Sequence, residues 1–156
     1  MAIAVTGLYY CFICGTLCGM KITELKRVSK SKIGKYHKNG IKSELHEDKT
    51  AELLCRYGFN VELVIPANTP KSNNPDFFML GTIWETKAPH NFNKQTLKNR
   101  MKKAAKQAGR VIFDLRNLRK DYDETESFIV KLFIGNSKMR RMMIIKKSGE
   151  ILDFIK

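Results

Sequence analysis

Two short, largely apolar runs between positions 76 and 87, separated by Gly81, predict a β-hairpin. Strand-forming residues occupy 77–80 and 82–84, and Leu80-Gly81 is the kind of two-residue connection that joins antiparallel strands. In that register Asp76 lies opposite Glu85. The predicted turn therefore brings two carboxylates together from neighbouring strands.

Upstream of the hairpin, apolar residues recur at helical spacing and predict an amphipathic helix over 44–57, with Ser43 as its N-cap and Gly58 as its stop. Ala51 belongs to the inward stripe of this helix. Glu47 comes four residues earlier, and residues four apart lie on the same side of a helix. We therefore expect Glu47 at the edge of the buried face.

The remaining pattern completes an α/β fold. A second amphipathic helix is expected at 93–109, an acidic loop at 121–126 and a turn at Ser148-Gly149. Strands are expected at 59–65, 110–115, 127–134, 139–145 and 151–155. This alternation predicts a mixed sheet flanked by helices, with additional C-terminal strands.

The 156 residues are enough for one well-buried domain and too few for two ordinary ones. We expect an apolar N-terminal segment and a basic linker at 1–42, followed by the main domain at 43–156. Residues 1–20 carry no charge, and three interpretations stay open: a membrane span with its basic flank in the cytoplasm, a hydrophobic hairpin, or the end of a larger precursor. Gly, Thr and Tyr lower the hydrophobicity of residues 1–20, so membrane contact is the least favoured of the three interpretations.

The four cysteines do not indicate a metal site or a disulfide framework. Cys11, Cys14 and Cys18 lack a second ligand pair and a fourth ligand nearby, so a structural role is favoured over zinc binding. Cys55 lies on the apolar stripe of the first helix and is expected to be a small buried residue. This cysteine usage fits a reducing, cytosolic site of action.

The chain is strongly basic: 29 Lys and Arg residues against 15 acidic ones give a formal net charge of +14. Such an excess implies a polyanionic partner. The second predicted helix carries the densest run of cations and no acidic residue, and we assign nucleic-acid binding to Lys94, Lys98, Lys102, Lys103 and Lys106. Gln107 at the end of this helix is a secondary candidate for orienting phosphate or water.

The acidic residues predict a metal site for cutting phosphodiesters. Mg²⁺ is held by a few carboxylates and offsets charge on phosphorus oxygens, and Glu47, Asp76 and Glu85 are the expected ligands for Mg²⁺ or another divalent cation such as Mn²⁺. Lys87 shares a strand face with Glu85 and is expected to hold or help deprotonate the attacking water, or to meet the charge on the phosphate. The alternative is a surface hairpin whose Glu85 and Lys87 form a solvated pair.

The order of Glu47, Pro75-Asp76 and Glu85-Thr86-Lys87 resembles the PD-(D/E)xK nuclease superfamily. Within it, 46–117 is similar to the C-terminal tRNA-nuclease domain of the CdiA contact-dependent growth-inhibition toxins. The resemblance implies a restriction-endonuclease-like fold for 43–156 and a nuclease that cleaves tRNA in the cytoplasm of another cell. It also implies an acidic immunity protein as partner.

Two other functions remain open from the sequence. The intact Glu-x-Lys sequence at Glu85 also fits a DNA endonuclease of a mobile element or repair system. A noncatalytic nucleic-acid-binding module would keep the fold and the basic helix, but the presence of all four candidate catalytic residues (Glu47, Asp76, Glu85 and Lys87) argues against it.

Overall fold

The computed structural model describes residues 5–8, 20–65 and 75–156 of the chain. Its strands are β1 (Val5–Leu8), β2 (Lys21–Leu25), β3 (Tyr36–His37), β4 (Val61–Leu63), β5 (Phe77–Met79), β6 (Thr82–Lys87), β7 (Arg110–Asp114), β8 (Arg141–Ile145) and β9 (Ile151–Ile155). Its helices are α1 (Leu45–Arg56), α2 (Lys94–Gln107), α3 (Tyr122–Ile134) and a short 3₁₀ helix, Lys30–Lys32.

The strands form one mixed sheet in the order β1-β2-β9-β8-β7-β6-β5-β4-β3. β6, β7 and β8 are parallel neighbours, and the pair β3 and β4 is also parallel. Parallel neighbours need a crossover connection, which α2 supplies between β6 and β7 and α3 supplies between β7 and β8. The predicted mixed sheet flanked by helices, with additional C-terminal strands, is confirmed.

Two apolar cores cover the two faces of the sheet. On one face, α1 packs through Ala51 and Leu54 against residues such as Ile112. On the other face, α2 and α3 pack together, with Met101 of α2 and Phe133 of α3 in the same cluster. The buried central strands β7 and β8 therefore read as nearly continuous apolar runs, as expected where helices cover both faces.

The prediction for 121–134 was wrong. Residues 121–126 were expected to form a loop and 127–134 a strand, but α3 spans Tyr122–Ile134. Its buried residues Thr125, Ile129 and Phe133 recur every four positions, which is helical spacing. Two acidic residues of this segment, Asp123 and Glu124, lie in the first turn of α3, where negative charge is favoured by the helix dipole.

The other element boundaries differ by a few residues. α1 begins at Leu45 with Glu44, not Ser43, as its N-cap. The strand predicted at 59–65 is limited to Val61–Leu63. Helix α2, strand β7 and the hairpin β8–β9 lie where the pattern predicts them, with Gly149 in the left-handed conformation at the last turn.

The segment predicted as a basic linker contributes to the sheet. β3 pairs with β4, and the Tyr36 hydroxyl donates a hydrogen bond of 2.5 Å to Asp48 Oδ1 on α1. Burial alone would raise the pKa of Asp48, but hydrogen bonds from Lys38, Ser43 and Tyr36 outweigh it and lower the pKa to about 2. The division at residue 42 stays a prediction about domains, yet β2 and β3 from its N-terminal side belong to the same sheet.

Most of the apolar N-terminal run, including Cys11, Cys14 and Cys18, lies outside the described residues. Within that run, β1 pairs with β2 in antiparallel register. In the ranges that the structure describes, no helix is long and apolar enough to cross a membrane. Cys55 is buried as a free thiol, as predicted.

Candidate functional site: an acidic cluster beside a basic helix

The candidate site lies where the sheet opens between β5 and β6. The last pair between these strands is Phe77 with Trp84, whereas β6 continues to Lys87 alongside β7. Leu80 and Gly81 both adopt positive φ, at 56° and 72°, as a tight two-residue hairpin requires. The predicted hairpin is confirmed, and its open end borders a cavity of about 540 Å³.

Asp76 stands at the open end of the hairpin and is held from β6. The Asp76 backbone N–H donates to Trp84 O at 3.1 Å, which keeps Asp76 opposite Glu85. Asp76 Oδ2 accepts two hydrogen bonds of 2.7 Å, one from the Thr86 backbone N–H and one from the Thr86 hydroxyl. Thr86 therefore orients this carboxylate, a role that the alternation of side chains along β6 did not predict.

Glu47 reaches the cavity from the first turn of α1. The Glu44 backbone N–H donates to Glu47 Oε2 at 2.9 Å, so Glu47 closes the capping box of this helix. One turn later, the buried Thr50 hydroxyl donates to Asp114 Oδ2 at 2.7 Å and fixes α1 to the end of β7. Burial raises the pKa of Glu47, and the negative charge of Asp76 adds to this effect.

Glu85 is buried, with 2% of its surface exposed, and Lys87 contacts its Oε1 atom. Its second oxygen, Oε2, is buried and accepts no hydrogen bond from the residues that the structure describes. Burial and then the negative charge of Asp76 raise the pKa of Glu85, and the contact with Lys87 offsets part of that rise. Asp76 thus interacts electrostatically with both Glu47 and Glu85.

Glu85→Gln is expected to reduce the fall in thermal stability of the chain between pH 5 and pH 7 in EDTA. Between the ordinary pKa of a glutamate and the raised pKa of Glu85, the folded state holds a proton that the unfolded state has lost. The stability of the folded state therefore falls as the pH rises through that window. The glutamine side chain of the variant does not titrate, so the variant loses no stability from this cause. Thermal unfolding curves at pH 5 and pH 7 measure this fall in stability. The melting temperature of the variant should differ less between the two pH values than that of the unchanged chain. A lower melting temperature at pH 7 with an unchanged pH dependence would contradict the expectation.

Helix α2 presents cations on two flanks. Arg100, Lys103 and Gln107 line the cavity with the acidic residues, and their spacing of three and four positions places them on one flank. Lys98 and Lys102 border a different cavity, between α2 and α3. The row of lysines assigned to nucleic-acid binding is therefore divided: Lys103 is beside the acidic cluster, Lys94 pairs with Glu124 at 3.3 Å, and Lys106 is exposed.

Three residues of this cavity, Arg100, His46 and His90, were not among the predicted site residues. His46 Nδ1 lies 3.1 Å from Glu44 Oε2. The available signal for Arg100 was its spacing from Lys103 and Gln107, because three polar residues at helical spacing share a flank. No comparable signal distinguishes the two histidines from surface residues.

The donor set suits a hard cation such as Mg²⁺. Mg²⁺ is usually bound through one or two carboxylates while it keeps several waters, and Asp76 and Glu85 supply two, one of them with an unsatisfied buried oxygen. Across residues 20–65 and 75–156, no three His, Cys, Asp or Glu side chains lie close enough together to enclose a metal ion by themselves. Glu47 lines the same cavity but does not complete a three-residue cluster with Asp76 and Glu85.

Comparison with known proteins assigns the family. Residues 72–151 match the model of the contact-dependent growth inhibition CdiA C-terminal domain, and this match includes Asp76, Glu85 and Lys87 but not Glu47. A CdiA-CT/CdiI toxin and immunity complex from Burkholderia pseudomallei has a similar fold, with a TM-score of 0.55 and 21% sequence identity over 75% of this chain and 92% of that chain. A sequence search of curated proteins found no match.

The chain is a mixed α/β domain in which a group of carboxylates and the basic helix α2 line the same cavity. The chain belongs to the CdiA C-terminal domain family and is therefore a toxin domain of contact-dependent growth inhibition.

Proposed function

We propose that this toxin domain is a metal-dependent nuclease of the PD-(D/E)xK type that cleaves tRNA. The observation that carries the proposal is the meeting of Glu47, Asp76, Glu85 and Lys87 in one cavity. An open cavity of about 540 Å³ with both acidic and basic walls suits a phosphodiester held beside a cation. The net charge of +14 favours a polyanionic substrate.

Each residue has a defined part in this proposal. Asp76 and Glu85 would hold Mg²⁺ or Mn²⁺, with Glu47 contributing from the end of α1. When bound, the cation would offset negative charge on the phosphorus oxygens during hydrolysis. Lys87 keeps its ammonium group in this cavity through its contact with Glu85, where it can meet the charge that builds on the phosphate.

The flank of α2 that faces the acidic cluster would position the substrate. Arg100 and Lys103 can contact phosphates on either side of the cleaved bond, because both line the same cavity as the carboxylates. Gln107 lines it as well and is suited to orient a phosphate or a water. These contacts fix the register of the nucleic acid but read no base sequence.

The decisive experiment incubates the purified chain with total tRNA and with plasmid DNA, each with Mg²⁺ or with EDTA. The proposal expects tRNA fragments only in the presence of the divalent cation. Cleavage of the plasmid alone would favour a DNA endonuclease. Binding of both nucleic acids with cleavage of neither would favour a noncatalytic nucleic-acid-binding module.

An immunity protein is the second proposed partner. The similar Burkholderia pseudomallei structure is a toxin and immunity complex, and a chain of charge +14 would associate fastest with an acidic protein. We place the action of the toxin in the cytoplasm of a contacted cell. Expression of the chain alone should arrest growth, whereas co-expression of its acidic partner should relieve the arrest.

A further inference from the structure

A second basic surface lies on the flank of α2 that faces away from the acidic cluster. It is a groove of about 510 Å³ between α2 and the C-terminal end of α3. Four lysines line it: Lys98 and Lys102 from α2, Lys131 from α3, and Lys138 from the connection that follows. We call this surface the α2–α3 groove.

The charge of the α2–α3 groove is not neutralised by the protein. No acidic residue lines it, and none of its four lysines forms an ion pair within the part of the chain that the structure describes. None of the three acidic side chains of α3 lines the groove. Asp123 and Glu124 lie in the first turn of α3, at the opposite end from the groove, and Glu124 pairs with Lys94, while Glu126 lies in the next turn. The groove therefore keeps four unopposed positive charges.

The end of α3 would normally repel an anion, because unpaired carbonyls give a helix C-terminus a partial negative charge. Here Lys156 Nζ donates to the carbonyl oxygens of Phe133 and Ile134 in the last turn of α3, at 2.6 and 3.1 Å, and to that of Asn136 just beyond the helix, at 2.8 Å. This contact brings a positive charge to the C-terminal end of α3 and offsets its partial negative charge. The end of α3 therefore does not oppose an anion in the groove.

We propose that the α2–α3 groove binds the phosphate backbone of the RNA substrate outside the cleavage cavity. This inference rests on the proposed function and adds a binding surface to it. Arg100 and Lys103 on one flank of α2 and Lys98 and Lys102 on the other are separated by about the width of a helix, roughly 10 Å. One RNA strand that lies across α2 contacts both flanks.

The composition of the groove favours nucleic acid over a protein partner. The centres of protein interfaces are enriched in aromatic residues and arginine and depleted in lysine. The groove contains no aromatic residue and no arginine, and its apolar floor is limited to Met101 and Leu132. Lysines at the rim suit phosphates, which they bind as point charges.

The test compares Lys102→Gln/Lys131→Gln with the unchanged chain in EDTA, using fluorescence anisotropy with labelled total tRNA at several salt concentrations. We expect binding at least about tenfold weaker and a salt slope reduced by about 1.4, since each lost phosphate contact removes about 0.7. The matched control is Lys30→Gln/Lys32→Gln. These exposed lysines carry the same charge and lie beside the end of α1, across the sheet from the groove.

Equal weakening in the groove variant and the control variant would overturn the proposal, because only total charge would matter. A groove variant that binds tRNA normally but loses binding to the acidic immunity protein would also overturn it and would assign the groove to that protein. A loss seen only with a DNA duplex would contradict an RNA contact. The assay needs no cleavage, so a chain that binds through the groove but cuts nothing would refute the nuclease proposal alone.

Discussion

Replacing Asp76 by alanine is expected to lower the rate of tRNA cleavage by at least about a hundredfold, the scale seen when one electrostatic catalytic group is removed. Asp76 is held by two hydrogen bonds from Thr86 and interacts electrostatically with both Glu47 and Glu85. Its loss should therefore remove the central ligand of the proposed cation site. Single-turnover cleavage of tRNA in Mg²⁺ measures the effect, and Glu85→Ala should show the same loss.

The fold should survive this change, because Asp76 is a partly exposed residue whose charge opposes the ionisation of its neighbours. The melting temperature of Asp76→Ala in EDTA should stay close to that of the unchanged chain, since relief of the repulsion offsets the two hydrogen bonds lost from Thr86. Asp123→Ala is the matched control, since Asp123 is an exposed acid in the first turn of α3, outside the cavity. Full activity in Asp76→Ala would reject the metal-site proposal.

The hairpin was predictable because its signals are local. Leu80-Gly81 joins two strand-forming runs, and both residues adopt the left-handed conformation that such a turn needs. The register of the hairpin followed from the turn, and with it the position of Asp76 opposite Glu85. Glu47 was placed by helical spacing alone, since a residue four positions before a buried alanine must lie near the buried face.

Helix α3 was not predictable because its C-terminal half is almost continuously apolar. One stripe of side chains in residues 127–134 is buried in the core against the sheet. The other apolar side chains of this segment are partly buried against the same core. A short apolar run of this kind cannot be distinguished from a buried strand by periodicity. The deciding feature is tertiary, since the parallel pair β7 and β8 needs a crossover, and a helix supplies it.

The sequence also did not determine which basic residues of α2 face the carboxylates. The buried stripe of Leu97, Met101 and Ala104 fixes which side faces the core, but it leaves two polar flanks. Which flank meets the carboxylates depends on the position of α2 beside β6. The structure places Arg100 and Lys103 there and turns Lys98 and Lys102 toward α3.

Lys87→Met is expected to reduce cleavage strongly and also to destabilise the fold by about 3 kcal/mol, the low end of the range for breaking a buried ion pair. The side chain of Glu85 is 3% exposed and that of Lys87 16%, so removal of the ammonium leaves a buried carboxylate without compensation. For a domain of this size the melting temperature should fall by roughly 6–12 °C at pH 7. Thermal unfolding in EDTA and single-turnover cleavage in Mg²⁺ measure the two effects.

The double variant Glu85→Gln/Lys87→Met separates the structural role of Lys87 from its catalytic role. Because it removes the uncompensated charge, it should recover most of the lost stability while its cleavage stays at the level of Lys87→Met or below. The single variant should also be less destabilised at pH 5 than at pH 7, since Glu85 can take up a proton once Lys87 is gone. A double variant as unstable as Lys87→Met would show instead that the lysine side chain acts through its packing.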